Sequence, residues 1–214
     1  MANKPKERTR LVADDYNPML SPRYTDIATF MRAPLVRDPS EVDIGLIGVP
    51  FDIAVTNRTG ARHGPREMRN SSSLMRAIHH VTKINPYELC RVADLGDVLL
   101  THGYNVEEAL EDIAEFYRKV HAAGTAPLSA GGDHSITFPI FQAIAADRPV
   151  GMVHVDAHTD TWDEFLDCKF THGAPFRRAV EEGLLDPKRA VQVGIRGAQN
   201  TEEGWNSSVI QLCA

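Results

Sequence analysis

Two short polar runs hold the residues best suited to chemistry. The first is Gly131, Gly132, Asp133 and His134; the second is Asp156, Ala157, His158, Thr159 and Asp160. Asp156, His158 and Asp160 sit two apart, so an extended chain would point all three the same way. Two carboxylates and an imidazole converging on one point repel one another and lose hydration, and a divalent cation removes that cost. Mixed carboxylate and imidazole donors suit Mn²⁺, Fe²⁺, Co²⁺ or Zn²⁺ better than Ca²⁺. The glycines before His134 let the backbone turn sharply and approach a site closely. Alone, a Gly-Gly-Asp is an ordinary turn and an Asp-Ala-His a polar loop. Together they point to a metal site built from His134, Asp156, His158 and Asp160. His154 shares a strand face with Asp156 and reads as an outer or packing residue rather than a ligand. His172 reads equally as a proton-handling residue or as a helix-start residue before Pro175.

The elements around these runs explain their joint placement. Residues 43–50 form a short apolar run ended by Pro50, as a strand buried on both faces does. Pro65 suits a helix start, and Met68, Ser72, Met75 and Ile78 recur at helical spacing. Further strands are expected at residues 90–95, 127–130, 150–156 and 190–195. Helices are expected at 106–123, from about 137, and at 174–182. In the first of these, Val106, Leu110, Ile113, Tyr117 and Val120 form one apolar stripe, with Asn105 as cap and Gly124 as stop. Strands alternating with helices predict an α/β fold with a parallel sheet, in which ligands collect beyond the carboxyl ends of the strands. Both polar runs fall at such ends. Breaks such as Asn17-Pro18 and Asp38-Pro39 mark residues 1–40 as an irregular arm, with residues 41–214 as the α/β domain.

Bulk properties exclude other classes. The net charge is −6 and the pI is near 5.8, which argues against a nucleic-acid partner. The longest apolar stretch, around residues 44–49, is far too short for a bilayer, and no secretory signal is visible. Cys90, Cys168 and Cys213 are scattered and form no C-x-x-C pair, which suits a reducing cytoplasm and excludes a structural zinc ribbon.

The runs from Gly131 to Ser135 and from His154 to Asp160 resemble the first two metal motifs of the ureohydrolases, the arginase and agmatinase family. The resemblance extends from about Ser21 to Gly197. It implies a three-layer α/β/α sandwich with a mainly parallel sheet, and assembly as a trimer or hexamer. It implies a pair of Mn²⁺ ions, with His134 and Asp160 on one, His158 on the other and Asp156 bridging. It implies hydrolysis of a guanidino substrate to urea and an amine, by water activated at the metals and a proton relayed through His172. Residues 161–170 lack the Ser/Asn-rich loop of arginases. Residues 56–66 and 176–183 look closer to agmatinases and to guanidinobutyrase or guanidinopropionase. Asp163, Glu164 and Asp167 could favour a cationic tail such as that of agmatine, or form a solvated acidic loop.

The family carries a third motif, an Asp-x-Asp pair, and a later glutamate that grips the guanidinium. No Asp-x-Asp follows Asp160 here, so four of the six expected ligands are present, and a truncated or frame-shifted form is the expectation. Weak binding of a second metal and an uncovered sheet edge would follow. Three readings stand: an agmatinase-like ureohydrolase, a non-catalytic fragment with at most a partial metal site, and a mononuclear hydrolase using the same four residues.

Overall fold

A computed structural model describes residues 21–199. The first twenty residues of the expected arm lie outside the described residues, and so does the chain from residue 200 on. The described elements run β1 (Ile44–Val49), α1 (Gly64–Ser72), α2 (Pro86–Leu89), β2 (Val92–Asp97), α3 (Val106–Ala122) and β3 (Ala126–Gly131). There follow α4 (Thr137–Ile144), β4 (Val150–Val155), α5 (Pro175–Glu181) and β5 (Leu185–Val193). This is the expected alternation. The chain forms two compact units that do not follow chain order. Among the described residues, one collects 21–50, His63–Val98 and Lys119–Ala130. The other collects Phe51–Arg62, Leu99–Arg118 and 131–199.

In the first unit the strand order is β2-β1-β3, with β1 and β2 parallel. Phe30, Ala33, Leu46 and Val92 form its core, packed by Ile44 and Tyr87. Burying side chains of this size contributes about 1.5–3 kcal/mol each. Asp94 is fully buried in the middle of β2 and would be costly there without partners. It accepts from the Phe30 N–H, the Gly96 N–H and two nitrogens of Arg69. The Arg69 guanidinium also lies over the Phe30 ring at 4.1 Å. Helix α1 ends at Ser72 rather than continuing along the Met68, Met75 and Ile78 spacing. Those three side chains are exposed, so no packing supports a longer helix. The Ser72 and Ser73 hydroxyls both donate to the Arg69 carbonyl at its end.

In the second unit β4 and β5 pair in parallel. The register jumps from Val150↔Leu185 to Met152↔Ala190, so β5 begins earlier than expected and carries residues 186–189 as an insert. After the jump His154 faces Gln192 and Val155 faces Val193. Phe138 and Phe141 on α4, and Phe176 and Ala179 on α5, are buried. On the part of α3 in this unit the stripe residues Leu110, Ile113 and Tyr117 are buried as the spacing predicts. The Asn105 side chain accepts from the Glu107 and Glu108 N–H groups, which caps the helix. No helix among the described residues is long and apolar enough to cross a membrane.

Candidate metal centre

The site lies wholly within the second unit. Ligand atoms of His134, His154, Asp156 and Asp160 fall within 4.8 Å of one another. Three local structures bring them there. His134 opens a short 3-10 turn, His134–Ile136, whose cap is Asp133; the Asp133 carboxylate accepts from the Ser135 N–H and hydroxyl. His154 is the last but one residue of β4. Asp156 and Asp160 lie beyond the strand, where the chain leaves the extended conformation. Asp156 Oδ1 accepts the His158 N–H at 2.9 Å, which turns the backbone. Asp160 has φ of +50°, a left-handed conformation that Asp tolerates better than most residues.

This turn decides which side chains converge. Asp156 and Asp160 point at His134, with Nδ1 of that ring 3.9 and 2.5 Å from their Oδ2 atoms. His158 stands aside, with its side chain 63% exposed, and its Nδ1 is 3.4 Å from Asp156 Oδ1. The two oxygens of Asp156 therefore face different imidazoles. The fully extended run that would aim residues 156, 158 and 160 together stops at Val155, because the β4–β5 ladder stops there. His154 is 7% exposed, and its Nε2 lies 3.5 Å from Asp156 Oδ2 and 4.0 Å from Asp160 Oδ2. Phe176 wedges its ring edge-on against both His134 and His154, at centroid distances of 5.4 and 4.5 Å.

The charges are strongly coupled. Burial opposes a charge on His134, but its hydrogen bond to Asp160 and the charges of Asp160, Asp156 and Asp133 outweigh that and raise its pKa. Burial, reinforced by the neighbouring His134, lowers His154 against the pull of Asp160 and Asp156. Burial pushes Asp156 up, yet the His158 N–H and the two imidazoles leave it below the usual carboxylate range. At Asp133 burial wins over the hydrogen bonds of Ser135 and Ala54 and raises the carboxyl.

The donor set fits a divalent cation. In the cluster the His134 Nδ1 proton bridges to Asp160, the place a cation would take once that proton leaves. The separations of His134 Nδ1 from the Asp160 and Asp156 Oδ2 atoms, 2.5 and 3.9 Å, bracket those of donors sharing one ion at about 2.1 Å.

His172 does not join this cluster. A two-point clasp holds it instead: its N–H donates to the Ala54 carbonyl at 3.1 Å, and its Nε2 is 3.1 Å from the Thr56 hydroxyl. That segment is tied back to the loop that carries His134, since Asp133 Oδ2 accepts the Ala54 N–H and the Asp133 N–H donates to the Phe51 carbonyl. Thr56, Phe176 and Gln192 were not singled out from the sequence. Gln192 could have been suspected only by knowing the β5 register. In the acidic loop, Asp163 pairs with Arg178 at 2.7 Å and Arg177 at 3.3 Å, so its charge is already answered within the chain.

The profile of the Arginase family matches residues 42–211. The chain belongs to the Arginase family. It is 60% identical over 178 residues to a guanidinopropionase of Pseudomonas aeruginosa, covering 83% of this chain and 56% of that protein. Its fold matches the structure of proclavaminate amidino hydrolase from Streptomyces clavuligerus, with a TM-score of 0.83, 34% identity, and coverage of 90% of this chain and 65% of that one. A formiminoglutamase of Trypanosoma cruzi, solved with Mn²⁺, matches with a TM-score of 0.70 at 26% identity, covering 79% of this chain and 58% of that one. The fold is thus the arginase-like α/β fold. The chain spans about half the length of the curated relatives it matches.

Proposed function

We propose that this chain serves the metal-dependent hydrolysis of a linear guanidino compound to urea and an amine. The observation that carries the reading is the convergence of His134, Asp156 and Asp160 at strand ends, with His158 on the far oxygen of Asp156. On that division His134, Asp156 and Asp160 would hold one Mn²⁺, and Asp156 with His158 would hold a second. Bound divalent ions would supply Lewis acidity and a lowered pKa for water. The side chains do the rest. Asp156 and Asp160 gather positive charge at the site. Phe176 keeps the imidazoles at fixed angles. His172, held by Ala54 and Thr56, carries a proton toward the leaving amine as general acid.

The substrate class is a linear guanidino compound. The acidic loop could favour an agmatine-like one or be merely solvated, and in it Asp163 is paired with arginines. The name of the 60% identical relative supports a guanidino acid instead. The free Cys90 and Cys168 suit a cytoplasmic location. The test is urea release after Mn²⁺ loading from 3-guanidinopropionate, 4-guanidinobutyrate, agmatine and arginine. Turnover abolished by a chelator, and by Asp156→Ala, is the expected result. Folded protein that binds Mn²⁺ but releases no urea would favour the second reading, a non-catalytic chain with a partial metal site. That reading draws on the single candidate ligand cluster found among the described residues.

A further inference from the structure

His154 sits among the candidate donors by distance, yet its second nitrogen tells against ligation. The side-chain nitrogen of Gln192 lies 2.7 Å from the Thr159 carbonyl and 3.1 Å from His154 Nδ1. A carbonyl can only accept, so this atom is the NH₂ of the amide rather than its oxygen. One of its hydrogens goes to Thr159 and the other to Nδ1. His154 Nδ1 is therefore an acceptor without a proton, and the ring proton sits on Nε2. Gln192 is 1% exposed and stands opposite His154 in the β4–β5 register, so it has little freedom to turn away. The buried Nε2 has no hydrogen-bond partner of its own and is aimed at the carboxylates, nearest to Asp156 Oδ2.

We infer that Gln192 fixes His154 as the Nε2–H tautomer, which turns an N–H toward Asp156 and excludes the ring from the metal shell. His154 and Gln192 are thus positioning residues for the proposed metal centre, and the inference rests on that reading only for what Asp156 then binds. A ring nitrogen carrying a proton cannot ligate, whereas an N–H facing a ligating carboxylate fixes which lone pairs the carboxylate offers elsewhere. This accounts for a histidine that lies within ligand distance of the cluster while its partner on β5 is an amide.

The experiment has two arms. The first records two-bond ¹H–¹⁵N spectra of the full chain, metal-free and with Zn²⁺ in place of Mn²⁺, with His154→Phe to assign the resonance. The expected result is His154 protonated on Nε2 in both states, and a mixed or inverted tautomer in Gln192→Leu. His154 protonated on Nδ1 with Zn²⁺ bound would overturn the inference, since Nε2 would then be a ligand. The second arm titrates Mn²⁺ against the wild type, Gln192→Leu and His154→Phe, following the free ion by electron paramagnetic resonance. Both variants are expected to keep the number of ions bound and to bind about tenfold to a hundredfold more weakly. Loss of an ion from His154→Phe, or unchanged affinity in both variants, would count against it. Should the wild-type chain take up no metal, the metal reading fails, and the metal-free spectra still judge the Gln192–His154 pair.

Discussion

At the scale of single residues, the candidate site is held by groups that are buried and multiply bonded rather than by the candidate ligands themselves. Asp52 is an example. It is fully buried, and its carboxylate accepts from the Gly60 and Arg62 N–H groups and from the Arg62 side chain, closing the loop that carries Thr56. Burial pushes its pKa up, but the two backbone N–H groups and Arg62 outweigh that and leave it lowered. A carboxylate lowered on folding stabilises the protein above its unfolded pKa, near 4. That contribution disappears as pH falls through the folded value. Asp52→Asn is therefore expected to lower the urea midpoint at neutral pH by an amount matching about 1–3 kcal/mol. The gap to the wild type should close in acid, below the ordinary aspartate range. A gap that is constant with pH would show that the charge of Asp52 contributes nothing. The same loop gives a second test. Thr56→Val removes the hydroxyl from His172 Nε2 and should cut kcat severalfold at nearly unchanged KM, with Thr56→Ser restoring it.

At the scale of elements, the sequence announced most of the strands and helices, and the reason is plain. Their apolar periodicity is local: the stripe on α3 and the apolar run of β1 need no partner to be recognised. The loops at the strand ends were legible as chemistry but not as geometry. The residue types at 134, 156 and 160 pointed to a metal, whereas the direction of each side chain depends on where the β4–β5 ladder ends. The turn at Asp156 sends His158 outward and Asp160 back, and a strand-like spacing of two could not foresee it. Gln192 was invisible for the same reason, since its meaning lies in a register set by the insert at 186–189. Gly194 shows what this junction demands. It has φ of +89°, and a Cβ there would stand 3.2 Å from the Asp156 carbonyl oxygen. Gly194→Ala should cost about 1–2 kcal/mol through the backbone conformation alone. Because the crowded atom belongs to Asp156, it should also weaken Mn²⁺ binding. A lower melting temperature with unchanged Mn²⁺ affinity would separate the strain from the site.

At the scale of the whole molecule, the second unit presents a face that packing does not explain. Val153 and Val155 on β4 are each 77% exposed, and Val191 and Val193 on β5 are 37% and 49% exposed. The alternation of a strand puts them opposite His154 and Gln192, so one face of this ladder carries the site and the other carries a β-branched apolar surface. A two-stranded ladder with such a surface in water is poorly stabilised and prone to association. The net charge of −6 opposes association at low salt, and screening removes that protection as the Debye length shortens. Raising the salt should therefore increase binding of an apolar dye and shift the chain toward larger species in sedimentation. Val153→Thr with Val155→Thr keeps the strand-favouring branch while making the surface polar, and should suppress both effects. Because these side chains point away from the ligands, the double variant should bind Mn²⁺ as the wild type does. Reduced Mn²⁺ affinity would mean that the two faces of the ladder are coupled, and that the exposed valines hold the strand ends in the register the site requires.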